Sequence, residues 1–166
     1  WVSGSVGIGN TANWNEDKAK TTWNFSPSIG YALDDALEVG LALGLDGSSK
    51  DDNSEFNFSI APFARYTFLS EGDFSMFIQG NIEFAAYSEK NHNTGLTKKD
   101  IKGQGFGVRI MPGVKYTLTD NFAIVATFGS LYYEHQDFDP EYYNNVQNRF
   151  GCNIFSGLNF GLVYSF

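Results

Sequence analysis

The sequence contains no long apolar run, only one cysteine and few basic residues, and each shortage excludes a class of protein. A membrane-spanning helix needs about 18 consecutive apolar residues, and no such run occurs. Cys152 is the single cysteine, so neither an intrachain disulfide nor a cysteine-based metal site can form. Lys and Arg number 11 against 19 Asp and Glu and form no basic stripe. Nucleic acid is therefore not expected as a partner.

Aromatic residues and glycine are abundant, which favours β structure over helix. Aromatics make up 17% of the chain, and 18 residues are glycine. The length suits one domain covering residues 1–166. Because the chain opens at Trp1 rather than at a methionine, either a signal peptide has been removed or the chain has been shortened, and both remain open.

Apolar residues alternate with small or polar ones in repeated segments of about ten residues. In residues 23–33 the odd positions carry Trp, Phe, Pro, Ile, Tyr and Leu, whereas the even positions carry Asn, Ser, Gly and Ala. Eight such segments follow one another along the chain. The pattern Pro-x-x-x-Tyr-x-(Leu/Phe) precedes a short turn three times, starting at Pro27, Pro62 and Pro112. We expect each proline to lie at a bulge or at a position that donates no ladder hydrogen bond.

Short and long connections alternate between these segments. The long polar ones are residues 13–22, 48–54, 89–100 and 136–148. This pattern predicts an all-β fold, an eight-stranded antiparallel up-and-down transmembrane β-barrel of the bacterial outer membrane. Its short turns and both termini would face the periplasm, and four long loops would face outside.

Charged residues avoid the apolar face of every segment. On a lipid face near the midplane, Arg or Lys costs about 2–4 kcal/mol, so this avoidance supports a membrane barrel. Eight strands enclose only enough space for side chains. We therefore expect an interior polar network, in preference to a proton or ion path, formed by Glu38, Arg65, Gln79, Asn81, Glu83, Arg109 and Lys115.

The sequence resembles the OmpA/OmpX-like family of small outer-membrane β-barrels. The hairpins PSIGYALDD and PGVKYTLTDN make it similar to the Bacteroidetes members of that group. The ending GLNFGLVYSF matches the family's carboxy-terminal assembly signal, which implies that the barrel-assembly machinery reads Phe160, Leu162, Tyr164 and Phe166. Outer-membrane lipid and lipopolysaccharide are further implied partners, with other outer-membrane proteins as an additional possibility.

Residues typical of catalysis or metal binding form no convincing group in the sequence. His135 lacks the nearby serine of a deacylase-like triad, and the acidic loop segments lack calcium-loop spacing. We expect no enzyme activity, no cofactor and no metal. Tyr132 and Tyr133 are expected in the extracellular aromatic girdle. The loop residues best suited to protein contact are Phe138, Tyr142 and Tyr143.

Three functions remain open for such a barrel. The first is a pore-less barrel that displays its loops for envelope integrity, adhesion or protein interaction. The second is an accessory subunit of a larger outer-membrane complex, and the third is a narrow diffusion channel. A soluble lipocalin-like barrel is excluded, because the interior positions are Gly, Ser, Asn, Glu and Arg and the apolar face must therefore point outward.

Overall fold

The chain folds into eight antiparallel strands. The computed structural model describes residues 1–11, 20–50, 53–91, 99–138 and 146–166. No part of the described chain forms an α-helix that could cross a membrane. The strands are β1 (Val2–Thr11), β2 (Lys20–Ala32), β3 (Leu37–Lys50), β4 (Asn53–Glu71), β5 (Phe74–Asn91), β6 (Lys99–Thr117), β7 (Phe122–Phe138) and β8 (Gln147–Tyr164).

Each strand pairs with its neighbours in chain order, and β8 returns to β1 to close a barrel. This confirms the predicted eight-stranded up-and-down fold. The three short turns and both chain termini lie at one end, which we call the tight-turn end. The other end, where the described chain breaks between β1 and β2, β3 and β4, β5 and β6, and β7 and β8, is the loop end.

The two faces of the sheet carry different kinds of side chain, as the alternating sequence pattern predicts. Large apolar side chains such as Ile29, Phe58 and Ile110 point outward and are exposed. Small and polar side chains point into the lumen. An apolar cluster at the tight-turn end departs from the expected polar interior, because Phe77, Ala123, Val125 and Val163 are buried together there with Trp1 packed against them.

Local side-chain contacts fix the tight turns. Asp34 Oδ1 accepts hydrogen bonds from the backbone N–H groups of Ala36 and Leu37, both at 2.8 Å. Gly72 has φ of 57°, a left-handed conformation that favours glycine. The outward tyrosines nearest this end are exposed, as an interfacial belt requires: Tyr31, Tyr66, Tyr116 and Tyr164.

The three strand prolines interrupt the ladder on one side only. Pro27, Pro62 and Pro112 each pair with the preceding strand, opposite Gly4, Leu41 and Ile78 respectively. On the other side the pairs skip over all three prolines, and at Pro112 the register also shifts. A missing N–H explains each gap. Only Pro112 lies at a register shift, while the other two occupy positions without a pair.

The strands extend further toward the loop end than the sequence indicates. Residues 48–54, predicted as a long loop, mostly pair within the β3–β4 ladder up to Lys50 opposite Asn53. Strands also take in the ends of the other three predicted loops, because β2 begins at Lys20, β5 and β6 reach Asn91 and Lys99, and β7 and β8 reach Phe138 and Gln147. The predicted bounds are wrong because polar residues can join a ladder wherever water reaches both faces of the sheet. Polarity alone therefore does not mark where a strand ends.

Lumenal glycines allow large rings to lie flat against the neighbouring strand. A Cβ atom on Gly113 would come within 2.3 Å of Phe77 Cζ and 2.8 Å of the backbone oxygen of Ala126. At Gly40 it would meet the Ile29 backbone oxygen at 2.3 Å and Phe63 Cζ at 2.4 Å. Glycine at these positions is therefore required by close packing.

Gly113→Ala is expected to lower the free energy of unfolding by about 1–3 kcal/mol, the usual cost of overpacking. Gly80→Ala is the matched control, because Gly80 also lies inside a strand but a Cβ atom added there would have no neighbour within 4 Å. There alanine should be neutral or stabilising by about 0.5–1 kcal/mol. Urea unfolding in detergent micelles measures both variants, and equal effects would contradict this packing account.

Candidate functional site

The tight-turn half of the lumen holds a hydrogen-bonded network centred on Arg65. Its Nη1 lies 3.0 Å from Glu38 Oε2, while Nε and Nη2 donate to Gln79 Oε1 at 3.1 and 2.8 Å. Gln79 Nε2 then donates to Asn81 Oδ1 at 2.9 Å. Lys115 Nζ stands 3.7 Å from the other oxygen of Glu38. Glu38 and Arg65 come together because they lie directly opposite each other on the β3–β4 ladder.

Aromatic rings enclose the Arg65 guanidinium. Its Cζ lies 4.5 Å from the Phe77 ring centroid, 5.1 Å from that of Trp1 and 5.8 Å from that of Phe63. Trp1 and Phe63 also stack on each other at 5.9 Å. Each contact has cation–π geometry. Together with buried Val163, these rings fill the lumen at the tight-turn end.

A second ion pair lies nearer the loop end. Arg109 Nη2 is 2.8 Å from Glu134 Oε1, and its Cζ is 6.0 Å from the Tyr132 ring centroid. A cavity of about 20 Å³ beside them is lined by Glu83, Arg109 and Glu134 among others. That is room for one water molecule, and Arg109, whose buried Nε has no hydrogen-bond partner, is one of the residues that line it.

Sequence reasoning missed Glu134 and misplaced Tyr132. Gly129 has φ of 66°, and the pairing of β7 shifts at this position against both neighbouring strands. A bulge reverses which residues face inward. Tyr132 therefore contacts Arg109 in the lumen and not in an outer girdle, while Tyr133 is exposed outside. The restart of alternation at Leu131 is the signal that could have found both residues.

The seven residues predicted as one interior network thus lie in two clusters. Glu38, Arg65, Gln79, Asn81 and Lys115 form the first, and Glu83 and Arg109 belong to the second. Toward the loop end an open cavity of about 600 Å³ adjoins β1 to β4, and its polar lining includes Asn24, Asp46 and Asn57.

No described group of side chains has the arrangement of a catalytic or metal site. Among the described residues, no three His, Cys, Asp or Glu side chains could hold a metal ion together. His135 Nδ1 lies 2.8 Å from Asn148 Oδ1 at the exposed loop end, without a nucleophile beside it in the described chain. Cys152 is exposed on β8.

The remaining predicted site residues lie at the two ends of the molecule. Phe160, Leu162 and Tyr164 point outward from β8, and Phe166 is almost fully exposed beyond the end of that strand. Phe138 is the last residue of β7, and its side chain lies outside the described part of the structure. Tyr142 and Tyr143 also lie outside the described residues, so the loop contacts stay a prediction.

A solved structure has a fold similar to that of this chain. The crystal structure of the N-terminal β-barrel domain of Pseudomonas aeruginosa OprF is similar, with a TM-score of 0.51 and 20% sequence identity. The match covers 98% of this chain and 94% of that one. No curated protein matches the sequence.

The whole length of the chain matches a family of bacterial outer-membrane proteins. The sequence pattern of the family described as "Outer membrane protein beta-barrel domain" matches residues 1–166. The closed eight-stranded barrel, its apolar outer face and its charged lumen agree with that match. The chain belongs to the outer membrane protein β-barrel domain family, whose place is the bacterial outer membrane.

Proposed function

We propose that this protein is a non-enzymatic barrel without an open pore, which holds four connecting loops at the outer surface of the membrane. The tight turns and both termini would then face the periplasm. The loops would serve envelope integrity, adhesion or contact with other outer-membrane proteins. Outer-membrane lipid and lipopolysaccharide would surround the barrel wall.

The filled lumen is the observation that carries this proposal. Trp1, Phe63 and Phe77 pack around Arg65. Glu38 and Gln79 accept hydrogen bonds from its guanidinium group. A passing ion would have to displace buried rings and an ion pair with low exposure. This favours an anchoring barrel over the diffusion channel that the sequence leaves open.

Conductance in planar lipid bilayers tests the proposal. Purified wild-type protein is expected to show no sustained conductance, because the lumen is closed at the tight-turn end. The double variant Phe63→Ala/Phe77→Ala removes two of the rings and should raise conductance above the wild-type level. The control is Phe58→Ala/Phe84→Ala on the outer face, which should show no sustained conductance. Stable ion-selective openings from the wild-type protein would favour the channel.

A further inference from the structure

The length of β6 places the outer boundary of its lipid-facing surface. Tyr116 belongs to the exposed tyrosines at the tight-turn end, and Phe106 is exposed on the same face ten residues earlier in the strand. A strand tilted by about 45° crosses the bilayer in about 9–11 residues. Phe106 therefore lies where the hydrocarbon ends on the loop-end side. Outward residues beyond it lie among the lipid headgroups.

Two polar side chains interrupt the aromatic surface at this height. His135 pairs with Phe106 on the β6–β7 ladder and with Asn148 on the β7–β8 ladder, so the three residues form one row. In the next outward row toward the bilayer centre, Tyr133 pairs with Phe150. Phe150 is 77% exposed, and Tyr133 and Phe106 are 40% and 39% exposed. Three exposed rings thus border His135 and Asn148.

Hydrogen bonds within this group hold the Asn148 amide in place. Its Oδ1 accepts from Tyr133 Oη at 3.0 Å and lies 2.8 Å from His135 Nδ1. With hydrogen on Nδ1, His135 donates to the same oxygen and keeps Nε2 as an acceptor. Because both bonds use the carbonyl oxygen, the two amide N–H donors of Asn148 are directed away from these two residues. The polar groups are therefore oriented before any ligand binds, which lowers the entropy cost of binding.

Further polar groups lie just beyond Phe106. Lys102 and Gln104 occupy the next two outward positions of β6 and are exposed. Asp137 is exposed opposite Gln104, and Lys102 supplies a charge of the opposite sign on the same face. Phosphate and hydroxyl oxygens can accept from the amide and ammonium groups, and a hydroxyl can donate to His135 Nε2. The exposed rings offer apolar faces to the C–H groups of a sugar ring.

Continuity with the lipid-facing wall identifies the occupant. Val108 and Ile110 are exposed on β6 directly below Phe106, so a lipid whose acyl chains cover them places its headgroup against His135 and Asn148. The outer leaflet of a bacterial outer membrane consists of lipopolysaccharide, whose membrane-anchored headgroup is a phosphorylated sugar. Phosphatidylglycerol has a phosphate and hydroxyl groups but no sugar ring to pack against Phe106 and Phe150.

We propose that Phe106, Tyr133, His135, Asn148 and Phe150 form a headgroup site that binds the phosphorylated sugar of one lipopolysaccharide molecule. The Asn148 amide donates to its phosphate or hydroxyl oxygens, and His135 Nε2 accepts from a hydroxyl. Tyr133 acts as a positioning residue, because its hydroxyl holds Asn148. The proposal rests on the proposed function in one respect, the loop end facing outside, and adds a specific lipid contact to the barrel wall.

Titration of the purified protein in detergent micelles with purified lipopolysaccharide tests the headgroup site. The wild-type protein should show saturable binding. His135→Ala/Asn148→Ala should weaken it at least about tenfold, because hydrogen bonds to a charged ligand are lost. The matched control is Thr21→Ala/Ser49→Ala, which removes another pair of exposed polar residues that lie opposite each other at the loop end, on the β2–β3 ladder. It should bind as tightly as the wild type.

Asn148→Asp separates lost binding from altered structure. It keeps the side-chain size and an oxygen that accepts from Tyr133, but it replaces the N–H donors with a negative charge that repels phosphate. Binding should fall at least as far as in the double alanine variant. Phosphatidylglycerol at equal concentration should not displace lipopolysaccharide. Retarded migration after boiling confirms that each variant is folded.

Three results would overturn the headgroup site: no saturable binding to the wild type, equal binding by Asn148→Asp, or an equal loss in the β2–β3 control. Displacement by phosphatidylglycerol would also overturn it, since the site would then not recognise a sugar. Binding in micelles does not depend on which end faces outside or on closure of the lumen. Such a failure therefore leaves the proposed anchoring function standing, whereas conductance by the wild-type protein would contradict that function alone.

Discussion

Replacing Arg65 with methionine is expected to lower the free energy of unfolding by about 3–5 kcal/mol, the largest effect we foresee for a substitution in the lumen. The change leaves Glu38 with only a distant Lys115 and removes both donors from Gln79 Oε1. A buried carboxylate without its partner keeps the cost of desolvation. Urea unfolding in micelles, followed by tryptophan fluorescence, measures the loss.

The double variant Arg65→Met/Glu38→Leu separates the stranded charge from lost packing. Replacing both partners of a buried ion pair with apolar residues is often neutral, so most of the loss should be recovered. Lys115→Met is a milder control, because its ion pair is longer and its side chain is partly exposed. It should cost less than about 1 kcal/mol. A double variant as unstable as Arg65→Met would assign the effect to the cation–π contacts instead.

Deleting Phe166 is expected to abolish assembly in cells while hardly changing the stability of the folded barrel. Phe166 is almost fully exposed and follows the last paired residue of β8, so it contributes little packing. The resemblance of the ending to a carboxy-terminal assembly signal predicts that unassembled protein accumulates in the periplasm. Cell fractionation measures assembly, and refolding of purified protein in micelles measures stability.

Phe68→Ala is the matched control for this deletion. Phe68 is also an exposed outward phenylalanine near the tight-turn end, but it lies outside the proposed signal. It should assemble normally. Normal insertion of the Phe166 deletion, or an equal defect in Phe68→Ala, would remove Phe166 from the proposed signal.

Period-two alternation was sufficient to predict the barrel because lipid and lumen impose opposite requirements on successive residues. It also separates the outward Phe58 and Ile110 from the inward Arg65 and Arg109. The pairing partners were not predictable in the same way. Glu38 meets Arg65 through the register of the β3–β4 ladder, which neither residue determines alone.

Local departures from regular alternation hid the rest of the site. One bulge at Gly129 brought Glu134 and Tyr132 into the lumen. The apolar closure was hidden because Phe63 and Phe77 occupy inward positions, where a purely polar interior was expected, and fit only over Gly40 and Gly113. The packing of a ring over a glycine of the neighbouring strand produces no periodic pattern in the sequence.

The proline gaps fall on alternate ladders of the barrel wall from β1 to β7. The ladders β1–β2, β3–β4 and β5–β6 run without interruption, whereas the ladders β2–β3, β4–β5 and β6–β7 each skip over a proline. Because proline has no N–H to donate, those joints can bend without breaking a ladder bond at the proline. We therefore expect the barrel wall to bend more readily at these three joints than along the uninterrupted ladders.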